Sequence, residues 1–223
     1  MNHALGQPDE WSLELSAKWQ ESFRTLTPPL QRLANHNLHL LKEAHRAGVI
    51  DIENIRAIAD FGAGIGGPTF ALTALTEDVE AFEMHQMFAG TMVANGILSA
   101  DKVYVGDGIG NLEARTDREY DLVTSFMHGP DTSGELFLKL AKVCKTRLSA
   151  NGNLLLTFAN RNEVQTLNSV LGILQNAGLN YSFIEGLSID GEEIPPAVII
   201  QKSELNKLPS LDAMTKSTYS HNL

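Results

Sequence analysis

Cysteine and long apolar runs are scarce in this sequence, and each absence narrows the class of protein that it can encode. Its 223 residues include one cysteine, Cys144, which excludes an internal disulfide and a cysteine-rich zinc site. No run of about 18 apolar residues occurs, so no membrane-spanning helix is expected. The single cysteine is typical of a protein of the reducing cytosol, so we expect a cytoplasmic location. The N-terminus has no basic stretch followed by an apolar run, so we expect no signal peptide.

Clusters of basic residues are also missing. The 17 lysines and arginines are scattered among 27 aspartates and glutamates, and the formal net charge is −10. Such an acidic protein repels the phosphate backbone of nucleic acids, which argues against nucleic acid as a partner. The 43% hydrophobic composition is that of an ordinary globular protein, and the chain is long enough to bury a core without disulfides or metals.

The sequence does contain a regular alternation of strand-like and helix-like segments. Short apolar runs typical of buried strands occur at 56–61, 79–83, 102–106, 120–126 and 153–158. Segments with helical length and spacing lie at 67–76, 86–98, 109–115, 133–148 and 162–177. Strands that alternate with helices predict a mainly parallel sheet with helices on both faces.

The N-terminal part of the chain departs from this alternation. Two helices are predicted before the first strand, at 10–24 and 28–47, and the second begins with a proline pair that suits the first turn of a helix. In the first helix, Trp11, Trp19 and Phe23 are expected to pack against the core. These helices also lie at a place in the chain from which they could cover a ligand cleft.

The C-terminal part departs from it as well. Strand-like runs at 181–187 and 196–202 are too close in sequence for a crossover helix, so they should pair antiparallel. Residues 203–223 are polar and lack periodicity. We therefore predict an α/β protein with a helical cap at 1–50 and a Rossmann-like domain at 51–202, followed by a flexible tail. The domain should contain a mostly parallel seven-stranded sheet with an antiparallel C-terminal strand.

The most informative segment is the glycine-rich turn after the first strand. Residues 60–68 read DFGAGIGGP, and glycines at such a turn let the backbone approach a ligand closely because no Cβ intervenes. Gly62, Gly64 and Gly67 fit the dinucleotide-binding pattern G-x-G-x-x-G, whereas Gly62, Gly64 and Gly66 fit G-x-G-x-G. On its own, the loop leaves both classes of cofactor open.

Residues 56–158 resemble the class I, Rossmann-like methyltransferases that use S-adenosylmethionine. In that family an acidic residue begins the glycine loop, a second ends the second strand and a third follows the third strand. Asp60, Glu83 and Asp107 match these positions in order and spacing, and Tyr120-Asp121 matches the aromatic–aspartate pair that introduces the fourth strand. The resemblance implies S-adenosylmethionine as the cofactor and methyl transfer as the activity.

The resemblance also implies a role for each matched residue. Glu83 would accept hydrogen bonds from both ribose hydroxyls, and Asp107 would accept one from the adenine amino group. Gly108 would let the base lie against the loop, and Asp60 would orient the glycine loop or bind a water near the methionine part. The complete cofactor site is expected to comprise Asp60, Phe61, Gly62, Ala63, Gly64, Gly66, Glu83, Met84, Asp107, Gly108 and Ser125.

The charge of these residues favours one of the two cofactor classes. A dinucleotide-binding protein places the pyrophosphate on a helix N-terminus and has no particular need for Asp107. S-adenosylmethionine has no phosphate and carries a cationic sulfonium. A cleft lined by Asp60, Glu83 and Asp107 therefore suits S-adenosylmethionine better.

The reacting end of the site is expected at residues 125–131, because ligands bind at the carboxyl ends of the strands in open α/β sheets. His128 is a candidate general base for an acceptor hydroxyl or amine, or else a hydrogen-bonded loop residue. The segment lacks the Asn-Pro-Pro-Tyr type of sequence that methyltransferases of nucleic-acid and glutamine amino groups use. The expected acceptor is therefore a small molecule or a protein side chain, methylated mainly by positioning of the nucleophile.

Several alternatives stay open at this point. An aminopropyl transferase or a nicotinamide-dependent oxidoreductase could use the same scaffold, and Asp131 could serve the former, although no second matching acid is found. A non-catalytic binding or scaffold protein could also keep the fold. His36 and His39 share a helix face beside Asn37 but lack a third ligand, so no metal site is predicted. The oligomeric state is open, a homodimer included.

Overall fold

A mixed sheet of seven strands forms the centre of the protein. The computed structural model describes residues 16–126, 134–158, 164–189 and 192–209. The strands of the sheet are β1 (Ile58–Phe61), β2 (Val79–Glu83), β3 (Val103–Val105), β4 (Tyr120–Phe126), β5 (Leu148–Thr157), β6 (Ser182–Ile184) and β9 (Ala197–Gln201). Between β6 and β9, a separate hairpin pairs β7 (Leu187–Ile189) with β8 (Glu192–Ile194).

The strands lie in the order β3-β2-β1-β4-β5-β9-β6. Strands β1 to β5 pair in parallel, and β9 is antiparallel to both of its neighbours, β5 and β6. The predicted fold class, a Rossmann-like and mostly parallel seven-stranded sheet with an antiparallel C-terminal strand, is confirmed. The strand order reverses at β1 and β4, and open α/β sheets bind ligands in the crevice at such a point.

Helices cover both faces of this sheet. In the described ranges they are α1 (Ala17–Thr25), α2 (Pro28–Arg46), α3 (Gly67–Leu72), α4 (Gln86–Ala94), α5 (Gly108–Ala114), α6 (Glu135–Arg147), α7 (Val164–Asn176) and α8 (Lys202–Leu205). Successive side chains of a strand point to opposite faces. Ile58 and Leu122 therefore join a core with α2 and α3, whereas Ala59 and Val123 join a second core with α5, α6 and α7. No helix of the described ranges is both long and apolar enough to cross a membrane.

The two N-terminal helices pack against the first of these cores. Trp19 stacks on Phe23 with ring centroids 5.3 Å apart, and its indole Nε1 donates a hydrogen bond of 3.2 Å to the carbonyl of Phe70 on α3. Core packing of Trp19 and Phe23 is thereby confirmed, while Trp11 lies outside the described residues. The buried side of α2 contributes Leu30, Ala34, Leu38, Leu40, Leu41 and Ala44 to the same core.

Two element boundaries differ from the sequence-based prediction. The first helix begins after Ser16, whose ψ of 145° is not helical and whose hydroxyl accepts a hydrogen bond of 3.1 Å from the N–H of Trp19. This N-cap ends the helix on that side, and residues 10–15 lie outside the described ranges. Strand β5 begins at Leu148, earlier than predicted, because that residue pairs with Tyr120 across a register irregularity.

The predicted loose tail also differs at its start. The short helix α8 follows β9 directly, and Leu205 and Leu208 are buried in the second core, 0% and 5% exposed. The prediction of a loose segment is therefore wrong for residues 203–209. Two apolar side chains anchor this segment to the core, although most of its residues are polar. Residues 210–223 lie outside the described ranges.

The single cysteine, Cys144, is fully buried on α6. Burial raises the pKa of its thiol well above the usual range, because the thiolate would be desolvated. The side chain therefore acts as a small apolar core residue.

Asp121 joins the beginnings of three strands at the centre of the sheet. Its Oδ2 accepts hydrogen bonds from the backbone N–H groups of Arg56, at 2.9 Å, and Ala57, at 3.3 Å. Its Oδ1 accepts a hydrogen bond of 2.7 Å from the hydroxyl of Ser149 on β5. The aspartate of the Tyr120-Asp121 pair thus supports the amino ends of β1, β4 and β5.

We expect Asp121→Ala to lower the free energy of unfolding by about 2 kcal/mol, because two backbone donors and one hydroxyl lose a charged acceptor. Ser149→Ala removes one of the three bonds and should cost roughly half as much. Urea denaturation followed by circular dichroism measures both values. Equal stability of Asp121→Ala and the wild type would contradict this role.

Candidate cofactor site

The glycine loop connects the end of β1 to the start of α3. Gly62, Gly64 and Gly66 have φ angles of +73°, +57° and +93°, a region that residues with a Cβ rarely adopt. At Gly66 a Cβ would lie 2.7 Å from Cγ of Met92, so protein atoms fill that direction. At Gly64 no atom from elsewhere in the described ranges lies within 4 Å of the Cβ position, so the described part of the protein leaves the loop open on that side.

Glu83 holds this loop against the end of β2. Its carboxylate is 5% exposed, and Oε2 accepts a hydrogen bond of 2.7 Å from the backbone N–H of Gly64. Oε1 accepts a hydrogen bond of 2.7 Å from the N–H of His85, at the turn that leads into α4. Each carboxylate oxygen retains a further lone pair, so Glu83 can also accept hydrogen bonds from a ligand's hydroxyl groups.

Asp60 is fully buried beneath the loop. Its Oδ2 accepts a hydrogen bond of 2.6 Å from the hydroxyl of Thr69 on α3, and its Oδ1 accepts one of 2.7 Å from Thr124 on β4. These contacts fix both ends of the loop, β1 and α3, relative to the neighbouring strand. Of the two roles that the resemblance allows, this geometry favours orientation of the loop.

Asp107 lies in the turn between β3 and α5 and is exposed. It caps the helix, because its Oδ1 accepts a hydrogen bond of 3.1 Å from the N–H of Ile109. The next residue, Gly108, contacts Phe61: a Cβ there would lie 2.7 Å from Cε2 of the ring. The absence of a side chain at 108 is therefore required by packing within the protein, in addition to the expected approach of a base.

The three acids lie at the same edge of the sheet. Asp60 is paired in register with Ala81, two residues before Glu83 on β2, and Glu83 is paired with Val105, two residues before Asp107. The carboxyl ends of the parallel strands β1, β2 and β3 thus carry one carboxylate each. This juxtaposition is the one that the sequence spacing predicts, and it concentrates negative charge around the glycine loop.

Apolar side chains are exposed at the carboxyl ends of β2 and β3 and in the first turn of α4. Met84 is 66% exposed, Met87 is 71% exposed and Val105 is 38% exposed. Met84 is among the residues predicted for the site, whereas sequence reasoning missed Met87 and Val105, because each fits the apolar pattern of its helix or strand. Thioether and aliphatic groups at such positions offer a polarisable surface to a flat ring.

Three further residues predicted for the site are Ser125, Ala63 and His128. Ser125 is buried near the end of β4, in register with Phe61, and Ala63 is buried within the loop. His128 lies outside the described residues, so its predicted role as a general base stays a prediction.

Among the described residues, the histidines of α2 do not form a metal-ligand cluster. Nε2 of His39 lies 3.8 Å from Glu43, and burial lowers the pKa of the imidazole. Across the described ranges, no group of three or more His, Cys, Asp or Glu side chains is arranged to hold a metal ion.

A cavity of about 550 Å³ lies elsewhere on the protein. Its lining includes Trp19 and Phe70, together with Thr76, which precedes β2, and Ser99 and Lys102, which precede β3. It therefore adjoins the amino ends of these strands, at the edge opposite to Glu83 and Asp107. The position of the carboxylates, and not the size of this cavity, identifies the candidate site.

Comparison with known proteins supports the fold assignment. No protein-family profile matches the sequence, and a search of the curated proteins found no match. Among solved structures, the chain is similar to the O-methyltransferase TomG from Streptomyces achromogenes, involved in tomaymycin synthesis and solved in complex with SAM. The TM-score is 0.52 at 11% identity, over 83% of this chain and 90% of TomG.

It is also similar to an rRNA methylase from Streptococcus thermophilus, with a TM-score of 0.50 at 16% identity, over 79% of this chain and 97% of that one. At such low identities the likeness establishes the architecture. The chain has the Rossmann-like fold of the class I methyltransferases.

We expect Asp60→Asn to lower the free energy of unfolding by about 1–3 kcal/mol, because one buried hydroxyl then faces an amide N–H₂ in place of an acceptor oxygen. Thr69→Val and Thr124→Val each leave one oxygen of the buried carboxylate without that donor and should lower stability by a similar amount. Thermal and urea unfolding of the three variants measure the effects. A fully stable Asp60→Asn protein would show that these hydroxyls do not hold the loop.

Proposed function

We propose that this protein is an S-adenosylmethionine-dependent methyltransferase that acts on a small molecule or a protein side chain. The observation that carries the proposal is the arrangement of three carboxylates around a glycine loop that is open at Gly64. Asp60, Glu83 and Asp107 lie at the carboxyl ends of adjacent strands. A cationic sulfonium suits this negative edge, whereas a pyrophosphate would be repelled by it.

The residues present fit this cofactor. Glu83 has carboxylate lone pairs for the ribose hydroxyls and is itself fixed by two backbone N–H groups. Asp107 is exposed, as an acceptor for an adenine amino group would need to be, and Val105, two residues before it in the sequence, exposes an apolar side chain. The open direction at Gly64 leaves room for a ligand to approach the backbone. When bound, S-adenosylmethionine supplies an activated methyl group on its sulfonium.

The contribution of the protein to the reaction is mainly positional. Glu83 and Asp107 would fix the nucleoside, and the buried bonds of Asp60 would keep the loop in place beneath the rest of the cofactor. An acceptor nucleophile held in line with the methyl group then needs little further chemistry, because its approach has become intramolecular. His128 is the proposed base for an acceptor that must lose a proton. The acidic charge and the absence of clustered basic residues in the sequence favour a non-nucleic acceptor.

Isothermal titration with S-adenosylhomocysteine and S-adenosylmethionine tests the proposal directly. Binding of these ligands with no binding of NAD⁺ supports it. Tight NAD⁺ binding without adenosylmethionine binding would indicate an oxidoreductase on the same scaffold. Absence of affinity for either adenosyl ligand would overturn the proposal.

We expect Glu83→Ala to weaken S-adenosylhomocysteine binding by about tenfold or more, because hydrogen bonds from the ribose to a charged acceptor are lost. Glu77→Ala removes an exposed acid just before the same strand and is the matched control, for which we expect unchanged affinity. Circular dichroism shows whether both variants fold. Equal affinities of a folded Glu83→Ala protein and the control would refute the assigned ribose contact.

We expect Gly64→Ala to abolish cofactor binding while costing the free protein about 1–2 kcal/mol of backbone strain. The new methyl group would enter open space in the free protein and would collide with a ligand lying on the loop. Gly48→Ala is the matched control, because Gly48 also has a positive φ, +67° against +57°, and no atom from elsewhere in the described part of the chain lies within 4 Å of its Cβ position. A Gly64→Ala protein with unchanged affinity would place the ligand elsewhere.

A further inference from the structure

We propose that Glu80, a buried carboxylate distant in sequence from the glycine loop, is a positioning residue for the adenine end of the cofactor site. It would act through Tyr104 and Arg115, the side chains that flank the turn carrying Asp107. The inference rests on the proposed function and extends it, because the resemblance assigns Glu80 no role.

Glu80 lies on β2 and is only 3% exposed, yet several donors converge on its carboxylate. Oε1 accepts hydrogen bonds from Arg115 at 2.9 Å, from Arg118 at 3.1 Å and from the hydroxyl of Tyr104 at 3.2 Å. Oε2 accepts one of 3.3 Å from Nε of Arg115 and a further bond from the hydroxyl of Tyr120. A buried carboxylate is tolerated because cations and hydroxyls surround it.

Two of these donors bracket the turn after β3. Tyr104 is on β3, three residues before Asp107, and its ring is stacked on Phe82 with centroids 5.0 Å apart. The guanidinium carbon of Arg115 lies 5.3 Å from the centroid of the same ring. Tyr104 is thus held between an aromatic ring and a cation, while its hydroxyl is fixed by Glu80.

Arg115 fixes the far end of α5, the helix that follows the turn. Helix α5 begins directly after Asp107 and ends immediately before Arg115, whose backbone N–H bonds to the carbonyl of Leu112. A seven-residue helix is a rigid spacer, so anchoring its carboxyl end at Glu80 also sets the position of its amino end. Asp107 caps that amino end, and its orientation therefore depends on the helix.

The protonation of the network keeps these bonds in place at neutral pH. Burial, followed by the negative charge of Glu80, raises the pKa of Tyr104, so its hydroxyl stays protonated and donates. The pKa of Arg115 is raised by its bonds to Glu80, against the opposing effect of desolvation, so the guanidinium stays charged. The hydrogen bonds from Tyr104 and Arg115 to Glu80 thus persist across the pH range in which the protein would bind a ligand.

A selectivity measurement separates positioning from general stability. S-inosylhomocysteine carries a carbonyl oxygen where S-adenosylhomocysteine has the amino group, so it presents an acceptor to Asp107 instead of a donor. The ratio of the two dissociation constants therefore reports on the contact of Asp107 with the base. For the wild type we expect a preference of about tenfold or more for the adenine ligand, and Asp107→Ala should remove it.

We expect Glu80→Gln to lower this ratio by about threefold or more, because a displaced Asp107 makes a poorer hydrogen bond. Tyr104→Phe keeps the stacked ring and removes one hydrogen bond, so it answers the question even if Glu80→Gln fails to fold. Val198→Ala is the matched control: it truncates a fully buried residue on β9, on the other side of β1, β4 and β5, and should lower stability without changing the ratio.

The outcomes distinguish this inference from the function on which it rests. A wild-type protein that binds neither ligand overturns the proposed function, and this inference with it. A wild-type preference that persists unchanged in Tyr104→Phe and in folded Glu80→Gln overturns only the positioning role. An Asp107→Ala protein that retains the preference also overturns it, because Asp107 would then not contact the base.

Discussion

The hydrogen bond from the backbone N–H of Gly64 to Glu83 is the contact on which the candidate site depends. It joins the loop after β1 to the end of β2, and it uses one lone pair of a carboxylate that is almost completely buried. A buried carboxylate needs donors, and here backbone groups provide them. The bond between Gly64 and Glu83 therefore stabilises the loop of the free protein, and it also orients the carboxylate of Glu83 as an acceptor for a ligand.

The opposite faces of β2 have different tasks. Glu83 is on the face that meets α3 and α4, beside the glycine loop, whereas Glu80 is on the face covered by α5. Both carboxylates are nearly buried, but one is satisfied by backbone N–H groups and the other by arginine and tyrosine side chains. Successive side chains of a strand point to opposite faces, so the five residues of β2 can support two different segments. Glu83 supports the loop after β1, and Glu80 supports the turn after β3.

The parts of the fold and site that could be predicted from sequence are those encoded locally. The order of strands and helices follows from apolar periodicity, and the acids at strand ends follow from where each apolar run stops. The network around Glu80 was not predictable in this way, because its arginines lie 35 and 38 residues further along the chain. Contacts at such separations exist only once β2 and the segment after α5 are adjacent.

Similar reasons explain the differences at particular residues. Gly108 has a turn-like sequence context, yet its lack of a side chain is required by the ring of Phe61 from another strand. Leu205 and Leu208 are isolated apolar residues in a polar segment, and only the second core shows that they are anchors. Tertiary packing decides each of these cases, and no local pattern records it.

The complete burial of Cys144 has a practical consequence for labelling chemistry. A thiol that is inaccessible and held protonated reacts slowly with maleimides and iodoacetamides, which attack thiolates. A cysteine introduced at an exposed position would thus be the one readily modified thiol of the folded protein, because Cys144 is the single cysteine of the natural sequence. The natural sequence is in effect already suited to attaching a single spectroscopic probe beside the glycine loop, without first removing a native reactive group.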